Sequence, residues 1–133
     1  MTATLPTTAK DGFLRFALRL DAVCSGLVGL AGLAIAPRLA AWSGTTPAFE
    51  YAFSAFLVAY GIVVYALSRR PAVRVPGIWV IAANLVFTVG AVILVIADVM
   101  PLTTVGVVVT LASGVYTLVM ADLQYVGLRR LRA

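Results

Sequence analysis

Four uncharged apolar stretches, residues 22–37, 51–68, 75–97 and 99–121, are separated only by short clusters of charged and turn-forming residues. A helix crosses the hydrocarbon of a bilayer with about 20 mostly apolar residues, and each stretch with its flanks reaches that length. The pattern predicts membrane-crossing helices near residues 12–36, 48–69, 76–98 and 102–128. Composition agrees, because 62% of the 133 residues are hydrophobic and 11% are charged, against about 25% charged in soluble domains. A chain this short makes one domain, 1–133, so the expected fold is all-α: a four-helix transmembrane bundle.

The breaks carry turn chemistry. Ser43, Gly44 and Pro47 follow the first helix, Arg69, Arg70 and Pro71 the second, and Met100 and Pro101 the third. The first helix is expected to end before Pro37, as proline lacks the amide proton that a helix interior uses. A basic start, an apolar run and Ala34-Ile35-Ala36 imitate a cleavable secretory signal. Pro37 at the would-be cleavage point and Asp21 inside the run argue that this segment stays in the mature protein.

Basic residues alternate between the two sides. Lys10, Arg15 and Arg19 precede the first apolar stretch, Arg69, Arg70 and Arg74 fill the middle turn, and Arg129, Arg130 and Arg132 close the chain, with Arg38 alone opposite. Cytoplasmic loops carry the excess of Lys and Arg, so both termini and the middle turn are expected in the cytoplasm. Both halves then run inward, outward and inward again. Each ends in Tyr-x-x-x-Arg-Arg, at Tyr65 and Tyr125, which suits either a tandem parallel repeat of two hairpins or any two hairpins obeying the same charge rule.

Inside lipid, helices gain most from close backbone approach at small residues. The first helix offers Ala22, Ser25, Gly29, Gly32 and Ala36 at spacings of three and four; the fourth offers Gly106, Thr110, Ser113, Thr117 and Ala121. These faces are expected to pack within the bundle, or to serve a homo-oligomer or a larger membrane complex. Trp42 and Trp79 sit where interfacial aromatic belts form.

At about 1.5 Å per residue, Asp21, Tyr60, Asn84 and Asp122 fall in one layer roughly 9–14 Å from the basic clusters. Arg19 and Gln124 stand within about one turn of it. Ionisable groups at such depth cost on the order of 2.5–3.5 kcal/mol and seldom face lipid. A polar cluster of Arg19, Asp21, Tyr60, Asn84, Asp122 and Gln124 is therefore expected, with Arg19 pairing to Asp21 or Asp122. It reads either as a clasp fixing helix register or as a cytoplasm-facing pocket. In such a pocket Asp21 would bind a cation or proton, or hold the head group of a lipid or quinone. Glu50 and Asp98, at the outer edge, read as solvated rim residues or helix-end charges.

Chemistry beyond that layer is sparse. The sequence has no histidine and one cysteine, Cys24, so no disulfide, metal-ligand set or histidine-assisted nucleophile is available. No glycine-rich phosphate loop follows a strand. No enzyme, metal or cofactor is expected, and the basic clusters serve topology, so no nucleic-acid partner is expected either.

Four helices in this length, the segment Leu18-Arg19-Leu20-Asp21 and the closing arginines resemble the small four-helix bacterial inner-membrane proteins, the DoxX-like group among them. That resemblance implies a bacterial plasma membrane and no agreed activity. The small multidrug resistance transporters are similar in length and helix number, but their first helix carries an embedded glutamate where this one has only Asp21, nearer the inner edge. Together these readings lead to a non-enzymatic accessory or scaffold subunit in the lipid bilayer. The alternative is a small transporter or a lipid- or quinone-binding protein that uses the layer around Asp21.

Overall fold

The computed structural model describes residues 4–131, with side chains from residue 10 onward; Arg132, counted above among the closing basic residues, lies outside them. Four helices make up the chain: α1 (Thr4–Ser43), α2 (Pro47–Ser68), α3 (Arg74–Ile96) and α4 (Thr104–Arg130). Each contains a span long and apolar enough to cross a membrane, in α1 Lys10–Ser43. The expected ends of α2, α3 and α4 fall within a few residues of these bounds, but α1 is longer at both ends.

Pro37 does not end α1. The helix bends at Ile35, whose φ of −126° and ψ of 21° leave the helical region, and then resumes through Pro37 to Ser43. A proline ring clashes with the carbonyl four residues before it, here Leu33, and forces such a bend. The resumed turns persist because they pack: Ala36 and Ala40 are buried. Gly44 supplies the stop. Its φ of +79° is left-handed, its amide donates to the Ala40 carbonyl at 2.9 Å, and glycine adopts that conformation without a Cβ penalty. A side chain there would also strike the Pro101 carbonyl.

Caps set the other boundaries. Thr46 and Thr103 precede α2 and α4, and each hydroxyl accepts the amide three residues on, from Phe49 and Gly106 at 3.1 Å. Thr103 also joins the α1–α2 and α3–α4 turns, since its amide donates to Ser43 O at 3.1 Å and its hydroxyl to Trp42 O. Of the two readings of Glu50, the helix-end charge holds and the solvated rim charge does not. Glu50 is buried in the first turn of α2 and accepts the Thr45 hydroxyl, a favourable place for an anion at a helix N-terminus. Asp98 is exposed, at a φ of 53° in the turn after α3.

The helices form a folded row. α1 packs along α2 and α4, α3 packs along α4, and α2 barely meets α3, where the Phe53 and Phe87 rings stack at 5.7 Å. The α1 contacts depend on missing side chains. A Cβ on Gly29 would stand 2.7 Å from Ser54 O of α2, and one on Gly61 2.6 Å from Ala22 O of α1. At the end of the bundle that carries the 69–74 turn, a Cβ on Gly127 would stand 2.6 Å from Leu14 Cα. An apolar cluster of Leu14, Leu18, Val64, Val73, Val80 and Leu128 fills that end.

Large apolar side chains otherwise point outward: Val86 is 71% exposed and Ile96 77%. Polar Asp21, Ser25, Asn84 and Gln124 are buried. An interior of small and polar groups under an apolar exterior is stable only where the surroundings are themselves apolar.

Candidate functional site

The inward face of α1 places the central residue. Asp21 lies one turn before Ser25 and one turn after Ala17, all buried on the stripe that continues through Gly29 and Gly32. Its side chain is fully buried, and every helix supplies it a partner. Onto Oδ2 the Tyr60 hydroxyl of α2 donates at 2.8 Å, Asn84 Nδ2 of α3 at 2.9 Å and Gln124 Nε2 of α4 at 3.0 Å. Onto Oδ1 the Tyr116 hydroxyl of α4 donates at 2.9 Å and the Ser25 hydroxyl at 3.1 Å.

These five donors are all neutral. A carboxylate offers about four lone-pair sites and donates nothing when ionised, so the shell around Asp21 is saturated. Asn84 closes the ring by donating its second amide proton to Gln124 Oε1 at 3.0 Å. One turn on along α3, the Thr88 hydroxyl lies 2.6 Å from that of Thr117 and donates to Gly114 O at 3.1 Å, which extends the α3–α4 seam by polar contacts.

Two expected members lie elsewhere. Arg19 and Asp122 are exposed, and neither touches Asp21. Each is two residues from a buried partner on its own helix, Asp21 or Gln124, and two residues turn an α-helix by about 200°. They therefore face away from the network. Arg19 Nε instead donates to Ser68 Oγ at 3.1 Å, and its guanidinium lies over the Tyr65 ring at 5.8 Å. Among the described residues the one ion pair joins Arg15 to Asp11 at 3.1 Å, so no cation neutralises Asp21.

The packing residues divide similarly. Ser25, Gly29, Gly32 and Gly106 are buried at helix contacts, and Gly106 abuts the Ser43 carbonyl. Thr110 and Ser113 are only half-buried, and Ser113 donates to Val109 O of its own helix at 2.9 Å. The reason is a change of neighbour. Gly106 meets the end of α1, whereas Gly114, not Ser113, approaches the Ala91 side chain of α3, so one straight stripe cannot serve both.

Tyr116 and Arg15 escaped the sequence reading. Tyr116 has its backbone about 12 Å along the axis of α4 from Gln124, eight residues nearer the start of that helix, and its long side chain returns the hydroxyl to the layer. The signal was a lone phenol inside an apolar span. Arg15, taken only as a topology charge, donates from Nη1 to Ser68 O at 2.8 Å and Arg70 O at 2.7 Å, and from Nη2 to Pro71 O at 3.0 Å. It thereby satisfies Ser68 O, which the end of α2 leaves without an intrahelical partner, and two carbonyls of the turn that follows.

No group of three or more metal-ligating side chains occurs among the described residues. Compared with known protein families, curated proteins and solved structures, the chain shows no significant match to any.

Proposed function

We propose that this chain is a non-enzymatic scaffold of the bacterial inner membrane, a rigid body that presents apolar outer faces to lipid and to other membrane proteins. The observation that carries this reading is the saturated shell of Asp21. One buried carboxylate takes donors from all four helices, and such a network fixes helix register and rotation at once. The stripe of small residues on α1 is consumed by the chain's own contacts, leaving the outward Leu, Val and Ile positions for partners. The basic residues of the 69–74 turn and of both ends support a topology with these segments in the cytoplasm.

A second reading is favoured by one feature: among the described residues the carboxylate has no cationic partner. An intramembrane acid of this kind marks proton and ion sites in transporters, and Asp21 would there take up a proton or a small cation between the Tyr60 and Tyr116 hydroxyls.

Asp21→Asn separates the two. The scaffold reading expects folded protein at normal yield, with an unchanged oligomer or set of co-purifying membrane proteins by native mass spectrometry in mild detergent. Folded Asp21→Asn protein that has lost uptake, efflux or ligand-induced thermal stabilisation supports the second reading instead. A wild-type chain that is strictly monomeric with no companion protein counts against the scaffold.

A further inference from the structure

We propose that the shallow groove between α1 and α2 holds one acyl chain of an anionic phospholipid, with the phosphate at Arg69. The groove runs over Gly26 and Leu30 of α1 and Val58 and Gly61 of α2 and reaches Tyr65 and Arg69 at its inner end. The positions on α2 recur every three or four residues, so they share one face.

Its dimensions suit a lipid of one leaflet. From Val58 to Arg69, eleven residues at 1.5 Å each cover about 16 Å, and half of a ~30 Å hydrocarbon core is about 15 Å. The groove thus starts at head-group level and ends near the midplane. Its floor is low because two glycines meet there: a Cβ on Gly61 would lie 3.1 Å from Gly26 Cα, while a Cβ on Gly26 would meet nothing within 4 Å. Backbones approach, and above Gly26 the space is open.

Charge selects the occupant. Arg69 is exposed, and among the described residues its guanidinium has no hydrogen-bond or ion-pair partner, whereas Arg15 is engaged by three carbonyls and Asp11. Arg19 adds a second guanidinium over the ring of Tyr65, itself 40% exposed. Two guanidinium groups and a phenol at the mouth of an apolar trough match a phosphodiester above a hydrocarbon tail, as in basic lipid pockets at cytoplasmic membrane faces. A second copy of this chain would bring the same positive charge to the same place.

The inference rests on the membrane reading but not on the scaffold role. The purified full chain in mild detergent is mixed with phosphatidylglycerol and phosphatidylcholine of identical acyl chains and examined by native mass spectrometry. One phosphatidylglycerol per chain is expected to be retained in preference to phosphatidylcholine. Arg69→Gln should lower its retention roughly fivefold, the weight of one basic side chain at an anionic surface. Gly26→Leu, which fills the trough, should lower it as much, and Gly90→Leu on α3 and Arg74→Gln should leave it unchanged.

Equal retention of both lipids, or retention indifferent to Arg69→Gln and Gly26→Leu, overturns the proposal while leaving the membrane reading intact. A dimer that Gly26→Leu dissociates, with lipid retention unaltered, overturns it by assigning the groove to a second copy. A wild-type chain that retains neither lipid and stays soluble without detergent overturns the membrane reading as well.

Discussion

Replacing Asp21 by Asn and by Ala should give very different losses of stability, and the hydrogen-bond pattern says why. Asparagine has the same shape but one oxygen and one NH2 group. Directed toward Oδ2, the NH2 group would face the amide protons of Asn84 and Gln124, which cannot become acceptors. Directed toward Oδ1, it would face only the hydroxyls of Ser25 and Tyr116, and a hydroxyl rotates to accept.

Asp21→Asn therefore settles with its oxygen toward Tyr60, Asn84 and Gln124 and keeps every contact. Its bonds weaken as the charge is lost, but the burial of a charge, about 2.5–3.5 kcal/mol at a helix centre, is also relieved. The net change is expected within about 1 kcal/mol. Asp21→Ala removes the acceptor altogether. Four interhelical bonds at about 0.6 kcal/mol each are lost, and the buried amides of Asn84 and Gln124 each strand a donor at about 1–3 kcal/mol. A loss of about 4 kcal/mol or more is expected. Equilibrium unfolding of the detergent-solubilised chain by increasing SDS fraction measures both. Equal losses for the two variants, or an alanine variant within about 1 kcal/mol of wild type, would refute the reasoning.

Four further outcomes follow, three from the glycine and arginine contacts and one from the placement of the basic residues. Gly127→Ala should destabilise by about 1–3 kcal/mol through overpacking, because its Cβ would stand 2.6 Å from Leu14 Cα. Gly90→Ala, with nothing within 4 Å, should stabilise by up to about 1 kcal/mol through helix propensity; the same SDS titration reads both, and matching signs would contradict the helix spacing. Arg15→Lys should cost about 1–2 kcal/mol and speed tryptic cleavage within the 69–74 turn, as an ammonium cannot fan onto three carbonyls the way a planar guanidinium does; unchanged cleavage would remove Arg15 from its capping role. Reporter fusions at the turn after Arg70 should score as cytoplasmic, and a periplasmic signal there would reverse the orientation inferred from the arginines.

The sequence by itself determined the solvent and the number of helices. Four uncharged spans admit few other folds, and spacings of three and four on α1 identified the inward face from Ala22 to Ala36, all of which is buried. Level along the bundle axis was also legible. Counting 1.5 Å per residue placed Asp21, Tyr60 and Asn84 in one layer with Gln124 beside it, and these four meet.

Beyond that α1 stripe, the bearing of individual side chains about the helix axes was not legible. Arg19 and Asp122 have suitable depth and an outward bearing, while Tyr116 has an unsuitable backbone depth and a side chain long enough to compensate. Each residue turns a helix by about 100°, so bearing is fixed only once the neighbours are known, and α4 changes neighbour between Gly106 and Gly114. The continuation of α1 beyond Pro37 has the same origin: local chemistry called for a break, and burial of Ala36 and Ala40 against the bundle turned it into a bend. Apolar length is a property of the chain alone, whereas the direction a side chain faces belongs to the assembled helices.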